Sequence, residues 1–240
     1  MGVSRLGSTA ALTAASAVLA VIVASPEGRA VQRAGGTGSI RGRVTSTAAV
    51  ATGSLKATVD EKICGPLVQD DAIVLDKEGG VAHAVVAVKG LTWGGTTPVR
   101  VTNKGCRFVP HVSVVRPGTT LEVTSEDNTL HTTHVFAPGG RSLFNIALPL
   151  AGLIVRRPVD NAPGITRLAC DTHPWMQGFV YVSTDRATVS GADGRFVLAD
   201  VPAGSYDLTV WHERLKGALE RVTVVAGETV DVSLMMAPGK

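Results

Sequence analysis

Three side chains that bind soft metal ions lie within seven consecutive residues of this sequence. Cys170, His173 and Met176 form the pattern Cys-x2-His-x2-Met, which offers a thiolate, an imidazole and a thioether from one short loop. His131, at the boundary of a predicted strand, is the candidate for a second imidazole. Two imidazoles and a thiolate in one plane, with a weak axial thioether, favour copper that alternates between two oxidation states. The sequence therefore predicts a copper site formed by these four residues.

Three alternatives to this ligand set remain open. Zinc fits less well, because structural zinc sites gather more thiolates and have little use for a thioether. His134 is the main rival of His131, but strand residues alternate between two faces, so a position three residues away points elsewhere and favours a structural role. Without the other donors, Cys170 and His173 would also be compatible with a buried thiol beside a hydrogen-bonded histidine.

The chain has three cysteines, so one is left over after any intramolecular pairing. Cys64 and Cys106 lie in turn-like segments between predicted strands, with no metal-binding neighbour at a recognisable spacing. Thiols tend to pair in oxidising compartments. We predict a Cys64–Cys106 disulfide, which leaves Cys170 available to a metal ion.

The N-terminus is predicted to be a targeting segment. A short basic start, Met1 to Arg5, precedes the uncharged run from Ala10 to Ala24. A run of about fifteen such residues is short for a bilayer but fits the apolar part of a secretory signal. We predict a signal peptide over residues 1–30, cut after Ala30 or, as a second candidate, after Ala24; the alternative is an uncleaved membrane anchor. Both place the folded part outside the cytoplasm, in the periplasm or the extracellular space.

The composition indicates a globular all-β protein. With 240 residues, 45% apolar and 18% charged, the chain can form one large domain or two small ones. The net charge of +3 comes with no cluster of basic residues interleaved with aromatics, which argues against a nucleic-acid partner. Its 27 glycines and 12 prolines, with abundant valine and threonine, favour short strands joined by turns.

Strand patterns cover the chain after the predicted signal. Alternating or continuous apolar runs bounded by turn residues predict strands at Ser39–Val44, Ala72–Leu75, Val81–Val88, Val99–Thr102, Val112–Val115, Thr120–Ser125, Thr132–Phe136, Thr166–Ala169 and Gly178–Ser183. Tighter hairpins follow at Gly194–Leu198, Ser205–Trp211, Leu219–Val225 and Thr229–Met235. We predict an N-terminal β extension over 36–98, a metal domain over 99–184 and a small β unit over 185–240. That last unit is short for an independent core, so we expect it to pack on its neighbour or to borrow the strand Ser39–Val44.

The predicted metal loop resembles that of the cupredoxins. The segment from Cys170 to Val182, Cys-Asp-Thr-His-Pro-Trp-Met-Gln-Gly-Phe-Val-Tyr-Val, is similar to the short copper loop of the amicyanin and pseudoazurin type. The approach from Pro163, and the segment Leu130 to Phe136 around the first histidine, match as well. The resemblance covers about residues 99–183 and implies a Greek-key β-sandwich.

The resemblance also implies roles for individual residues. His131, Cys170 and His173 would be the equatorial ligands of one type 1 copper ion, and Met176 the axial ligand. Electrons would leave through His173 to a transient redox protein that docks on an apolar patch including Pro174 and Trp175; the alternative for these two is simple packing beside the loop. Thr132 departs from the asparagine of many members, which leaves the tuning of the site open.

The tail has a resemblance of its own. The segment from Ala192 to His212 resembles the carboxypeptidase regulatory-like, or transthyretin-like, β-sandwich, which is not catalytic. Asp193-Gly194 suits a tight hairpin, and the side chains of one inward face alternate from Phe196 to Val210. A cupredoxin with such a tail is similar to secreted proteins of the methylamine-utilisation type.

These observations lead to three hypotheses of function. The first is a periplasmic or secreted copper protein that carries single electrons and is not an enzyme. The second is a protein that stores, delivers or senses copper. The third is a metal-free β-sandwich module that binds other molecules.

Overall fold

The computed structural model describes residues 1–2, 35–47 and 53–239. The chain divides between residues 32 and 33, and the fold described here is that of the unit that begins at residue 33. Apart from residues 1–2, the predicted signal peptide lies outside the described residues. Within the described part of the chain, no helix is long and apolar enough to cross a membrane.

The described residues form strands almost throughout, which confirms the predicted all-β class. In chain order the elements are β1 (Thr37–Ser46), β2 (Ser54–Lys56), α1 (Glu61–Cys64), β3 (Leu67–Gln69), β4 (Val85–Thr92), β5 (Val99–Asn103), β6 (Phe108–Val109), β7 (Val112–Val115), β8 (Thr120–Ser125), β9 (His131–Phe136), β10 (Ser142–Leu148), β11 (Ile154–Pro158), β12 (Gly164–Ala169), β13 (Gln177–Val182), β14 (Asp185–Val189), β15 (Arg195–Pro202), β16 (Gly204–Trp211), β17 (Leu215–Lys216), β18 (Leu219–Val224) and β19 (Thr229–Pro238).

Two sheets enclose the buried core beside which the predicted metal ligands lie. One has the strand order β10-β9-β12-β13-β7, and the other has the order β11-β8-β5-β6. Strands β9, β12 and β13 alternate buried and less buried residues, as expected for a sheet that packs on one face. The buried side chains between them include Val101, Phe108, Leu121, Val123, Val135, Leu168 and Val180. Cys170 and Met176 belong to the same buried cluster.

The C-terminal strands build a second pair of sheets with help from the N-terminal region. Their orders are β15-β1-β19-β17 and β14-β4-β16-β18. Strand β1 pairs antiparallel with β15 and parallel with β19, so the tail does borrow this strand. Strand β4 pairs antiparallel with both β14 and β16, which the sequence did not predict. The predicted extension over 36–98 is therefore not one structural piece.

The continuous run Val85–Val88 is apolar because both faces of β4 are buried. Val86 and Val88 face the core of the C-terminal sheets, with Ile40, Leu208 and Leu234. Val85 and Ala87 face the opposite way, in a cluster with residues of the metal domain. A strand buried on both faces loses the apolar–polar alternation that would identify its partner sheet.

Residues 53–70 form a separate small element, which we call the cap. Strands β2 and β3 pair antiparallel, and α1 lies between them. Ala57 and Val68 of the cap join the buried core of the metal domain. A Cys64–Cys106 disulfide, with its Cα atoms 5.4 Å apart, ties the cap to the turn between β5 and β6. The predicted disulfide is confirmed, and Cys170 is the free cysteine.

Candidate metal centre

Strand pairing brings the predicted ligands to one edge of the five-stranded sheet. Strand β9 begins at His131, and Cys170 follows directly after the end of β12. Because β9 and β12 run antiparallel, with Ala169 opposite His134, the start of one strand and the end of the other meet. The loop after Cys170 then closes tightly, since the amide of Met176 donates a hydrogen bond to the carbonyl of His173 at 2.9 Å.

The side chains of His131, Cys170 and His173 converge in the protein interior. The Sγ atom of Cys170 lies 3.9 Å from Nδ1 of His131 and 3.5 Å from Nδ1 of His173. One ligand atom from each of the three residues lies within 4.8 Å of the others. Both histidines are fully buried, and Cys170 and Met176 are exposed by only 4% and 2%.

These spacings fit a metal ion held between the three atoms. Thiolate and imidazole bonds of about 2.3 and 2.0 Å, at an angle of about 110–120°, separate sulfur from nitrogen by about 3.5–3.7 Å. The two observed sulfur–nitrogen distances, 3.5 and 3.9 Å, lie close to this range. The residues therefore suit a thiolate and two imidazoles around one ion, and Met176 lies buried in the same loop.

Hydrogen bonds favour the charged form of the Cys170 side chain. Burial alone raises the pKa of this thiol, but hydrogen bonds from His131, His173, Thr172 and the backbone of Thr132 outweigh it and lower the pKa to about 4. The Thr172 hydroxyl lies 3.0 Å from Sγ, and the Thr132 amide donates to Sγ at 3.3 Å. These contacts thus favour the thiolate, the form that binds metals.

A carboxylate holds the outer nitrogen of His131. Nε2 of this ring lies 3.0 Å from Oδ2 of Asp127, whose two oxygens also accept hydrogen bonds from the amides of Gly105 and Cys106. Burial raises the pKa of Asp127, yet its hydrogen bonds from His131 and the two amides lower it to about 2. Burial lowers the pKa of His131, whereas Asp127 and Cys170 raise it to about 9. With Nε2 directed to Asp127, Nδ1 faces the thiolate.

A second carboxylate, from the cap, holds the outer nitrogen of His173. Nε2 of this ring lies 3.2 Å from Oδ2 of Asp60, which also accepts a hydrogen bond from the Thr129 hydroxyl at 2.6 Å. The Thr129 hydrogen bond lowers the pKa of Asp60 most; burial opposes it, and the contact with His173 adds to the lowering. Nδ1 of His173 therefore faces Cys170, as Nδ1 of His131 does.

The cap changes what surrounds His173. One of the two alternatives for Pro174 and Trp175 is an apolar docking patch around an exposed His173, but the ring is fully buried. The ring is not exposed because Asp60 and the Cys64–Cys106 disulfide occupy the space beside it: a sulfur of each cysteine lies within 4.8 Å of one of its nitrogens. Pro174 is exposed, whereas Trp175 is half-buried and donates from Nε1 to the carbonyl of Cys106 at 3.1 Å.

His134 does not approach the converging ligands. It lies on the other face of β9, as alternation from His131 requires. Its ring nitrogens contact Asp171 and Ser142 at 3.1 and 2.9 Å, and the ring stacks on Phe136. Its surroundings are those of a surface histidine with complete hydrogen bonding.

Three residues that hydrogen-bond the proposed ligands were not predicted from the sequence. Asp127 had a readable signal, because it lies four residues before His131 on the same strand approach. Thr172 also had a local signal, because it lies between the proposed ligands Cys170 and His173. Asp60 had no local signal, since 113 positions separate it from His173 and the contact exists only once the cap has packed on the metal domain.

A family model matches the C-terminal part of the chain. Residues 186–232 match the model described as polysaccharide lyase family 4, domain II, a fibronectin-like β domain. The match does not confirm the carboxypeptidase regulatory-like family expected from the sequence. A search of curated proteins gives no match.

Solved structures of copper proteins resemble part of the chain. A purple cupredoxin from Nitrosopumilus maritimus is 24% identical, with a TM-score of 0.31, and the alignment covers 35% of this chain and 99% of that one. A copper-containing nitrite reductase from Thermus scotoductus is 27% identical, with a TM-score of 0.30, and covers 39% of this chain but 24% of its own. A reduced amicyanin mutant is 16% identical, with a TM-score of 0.32, over 41% of this chain and 98% of its own.

Proposed function

We propose that this protein binds one copper ion through His131, Cys170, His173 and Met176 and carries single electrons. The observation that supports the proposal is the convergence of one sulfur and two Nδ1 atoms in a buried site. A thiolate, two imidazoles and a nearby thioether are the donor set of copper sites that exchange electrons.

Bound copper supplies the one-electron couple, and the chain supplies a nearly fixed set of donors. His131 begins a strand, Cys170 directly follows a neighbouring strand, and the tight turn holds His173 and Met176. Donors that are held in place need little rearrangement when the charge of the ion changes. The Cys170 thiolate is ready to bind, whereas His131 must release a proton from Nδ1 when an ion takes that position.

The closed site favours electron transfer over catalysis. A catalytic metal centre keeps a coordination position open for water or substrate. Here all four proposed ligands are at least nine-tenths buried, and a carboxylate covers the outer edge of each histidine. We therefore expect no enzymatic activity at this centre. The same burial favours retention of the ion over rapid delivery, so storage or delivery is the second candidate.

The proposal includes a location and a partner. A disulfide beside the site is compatible with an oxidising compartment, and we propose that the protein acts in the periplasm or outside the cell. Its partner would be a redox protein that docks transiently and leaves with, or donates, one electron.

Addition of Cu(II) to the purified metal-free protein tests the proposal. We expect one equivalent to bind with an intense colour from charge transfer between thiolate and Cu(II), and we expect Cys170→Ala to remove the colour. His134→Gln is the matched control, because this histidine lies outside the site and its loss should leave the colour intact. A colourless copper complex of the folded wild-type protein would refute the proposed centre. If the coloured protein lost its copper during repeated reduction and oxidation, delivery would replace electron transfer as the function.

A further inference from the structure

The cap contributes a charged side chain to the proposed copper centre from a distant part of the sequence. Asp60 opens the turn of α1, where its carbonyl accepts hydrogen bonds from the amides of Ile63 and Cys64 at 2.8 and 2.9 Å. Cys64 is then fixed to Cys106 by the disulfide. This short connection holds the Asp60 carboxylate against His173.

The two carboxylates at the site are joined through one turn. The amide of Cys106 donates to Asp127, the partner of His131, while the side chain of Cys106 anchors the segment that carries Asp60, the partner of His173. Both imidazoles therefore have the same arrangement, with Nδ1 toward Cys170 and Nε2 toward a carboxylate. A carboxylate in this position fixes the ring orientation and makes the imidazole a stronger donor.

We propose that Asp60 is a positioning residue that orients His173 and selectively stabilises Cu(II) at the centre. The inference rests on the proposed copper function. A negative charge next to a ligand favours the metal state with the higher positive charge, and the buried ring limits the screening of that charge by water. The side chain of Asp60 is 44% exposed, so it forms the boundary between the buried ring and solvent.

The test compares two single substitutions that remove the same charge from adjacent residues. Asp60→Asn keeps the shape and an acceptor oxygen but removes the charge that contacts His173. Glu61→Gln removes a carboxylate from the first turn of α1, on a side chain exposed to solvent. Comparison of the two separates the contact with His173 from the general effect of net charge.

We expect Asp60→Asn to weaken Cu(II) binding about tenfold and to leave Cu(I) binding nearly unchanged. The ratio of Cu(I) to Cu(II) at a fixed potential then rises about tenfold, which is a shift of about 59 mV to a more positive reduction potential. Glu61→Gln should shift the potential by less than a third of that amount. Equal shifts in the two variants, or no shift in Asp60→Asn, would overturn the proposal.

A measurement on the metal-free protein separates this inference from the proposed function. Nitrogen NMR of the histidine rings should show a proton on Nε2 of His173 that is hydrogen-bonded to a carboxylate in the wild type, and a changed Nε2 signal in Asp60→Asn. If copper fails to bind but the Nε2 signal changes as expected, the copper function is wrong and Asp60 still positions His173. If copper binds and the Nε2 signal and the potential are both unchanged, the inference about Asp60 is wrong.

Discussion

The hydroxyl of Thr132 accepts a hydrogen bond from the backbone amide of Asp171 at 2.7 Å. This contact joins the start of β9 to the loop that carries the remaining proposed ligands. Thr132 is the residue at which the sequence departs from many cupredoxins. In this protein its hydroxyl secures the loop, and its amide donates to Sγ of Cys170.

Loss of this hydroxyl should loosen the loop. We expect Thr132→Val to lower the free energy of unfolding by about 1 kcal/mol, because the amide of Asp171 loses its partner. Thr133→Val is the matched control: the buried hydroxyl of Thr133 has no hydrogen-bond partner in the structure, so its removal should be neutral or stabilising. Denaturant unfolding of the two variants checks the difference. An equal loss in both would contradict the role given to Thr132.

The Cys170 thiol should ionise far below its usual range in the metal-free protein. The thiol has an expected pKa of about 4, against a reference of 9.0. Because Cys170 is the free cysteine, the ultraviolet absorbance of the thiolate reports it alone. We expect a midpoint near 4 and a higher midpoint in Thr172→Val, which removes one hydrogen bond to Sγ. A midpoint near 9 in the folded wild type would show that the imidazoles do not hold a thiolate.

Acid should destabilise the fold partly through His83. Burial, followed by the charge of the neighbouring His111, lowers the pKa of His83 from 6.5 to about 4. The unfolded chain takes up this proton near pH 6.5 and the folded protein resists it, so this group reduces stability as the pH falls from 6.5 toward 4 and has no effect above 6.5. His83→Asn suits the left-handed backbone at this position, where φ is 63°.

We expect His83→Asn to shift the midpoint of acid denaturation to lower pH. Above pH 7, the difference in free energy of unfolding between the variant and the wild type should not vary with pH. Circular dichroism during acid titration of both proteins measures the midpoint. Identical midpoints would mean that protonation of His83 does not contribute to acid unfolding.

The disulfide should both stabilise the protein and close the metal centre. The cysteines are 42 positions apart, and closure of a loop of that length stabilises by about 4 kcal/mol in the chain-entropy model. In the double variant Cys64→Ser and Cys106→Ser, Cys170 remains a free thiol, as in the wild type. We expect iodoacetamide to alkylate it at least about tenfold faster in the double variant, because an opening of the cap needs less free energy.

Alkylation rates of the metal-free proteins test this second role separately from stability. Circular dichroism first establishes that the double variant is folded at the temperature used. Equal alkylation rates in the two folded proteins would show that the cap does not control access to Cys170.

Much of the fold was readable from local patterns. Strands β7 and β8 were predicted with the bounds that the structure gives, because their apolar and β-branched residues are flanked by clear turns. Strand β10 was missed, since its burial pattern lacks a strict alternation. The partner sheet of β4 was also missed because both of its faces are buried.

The metal centre was likewise only partly predictable from the sequence. His131, Cys170 and His173 were readable from residue type and spacing, and the structure brings them together. The burial of His173 was not readable, because it depends on Asp60 in a short polar segment far away in the sequence. A long-range contact made through a disulfide has no periodic signal.

X-ray absorption at the copper edge tests the central claim most directly. The copper-loaded protein should show one sulfur at about 2.3 Å and two imidazole nitrogens at about 2.0 Å, with the sulfur lost in Cys170→Ala. A copper ion surrounded only by nitrogen and oxygen in the folded wild-type protein would contradict the account.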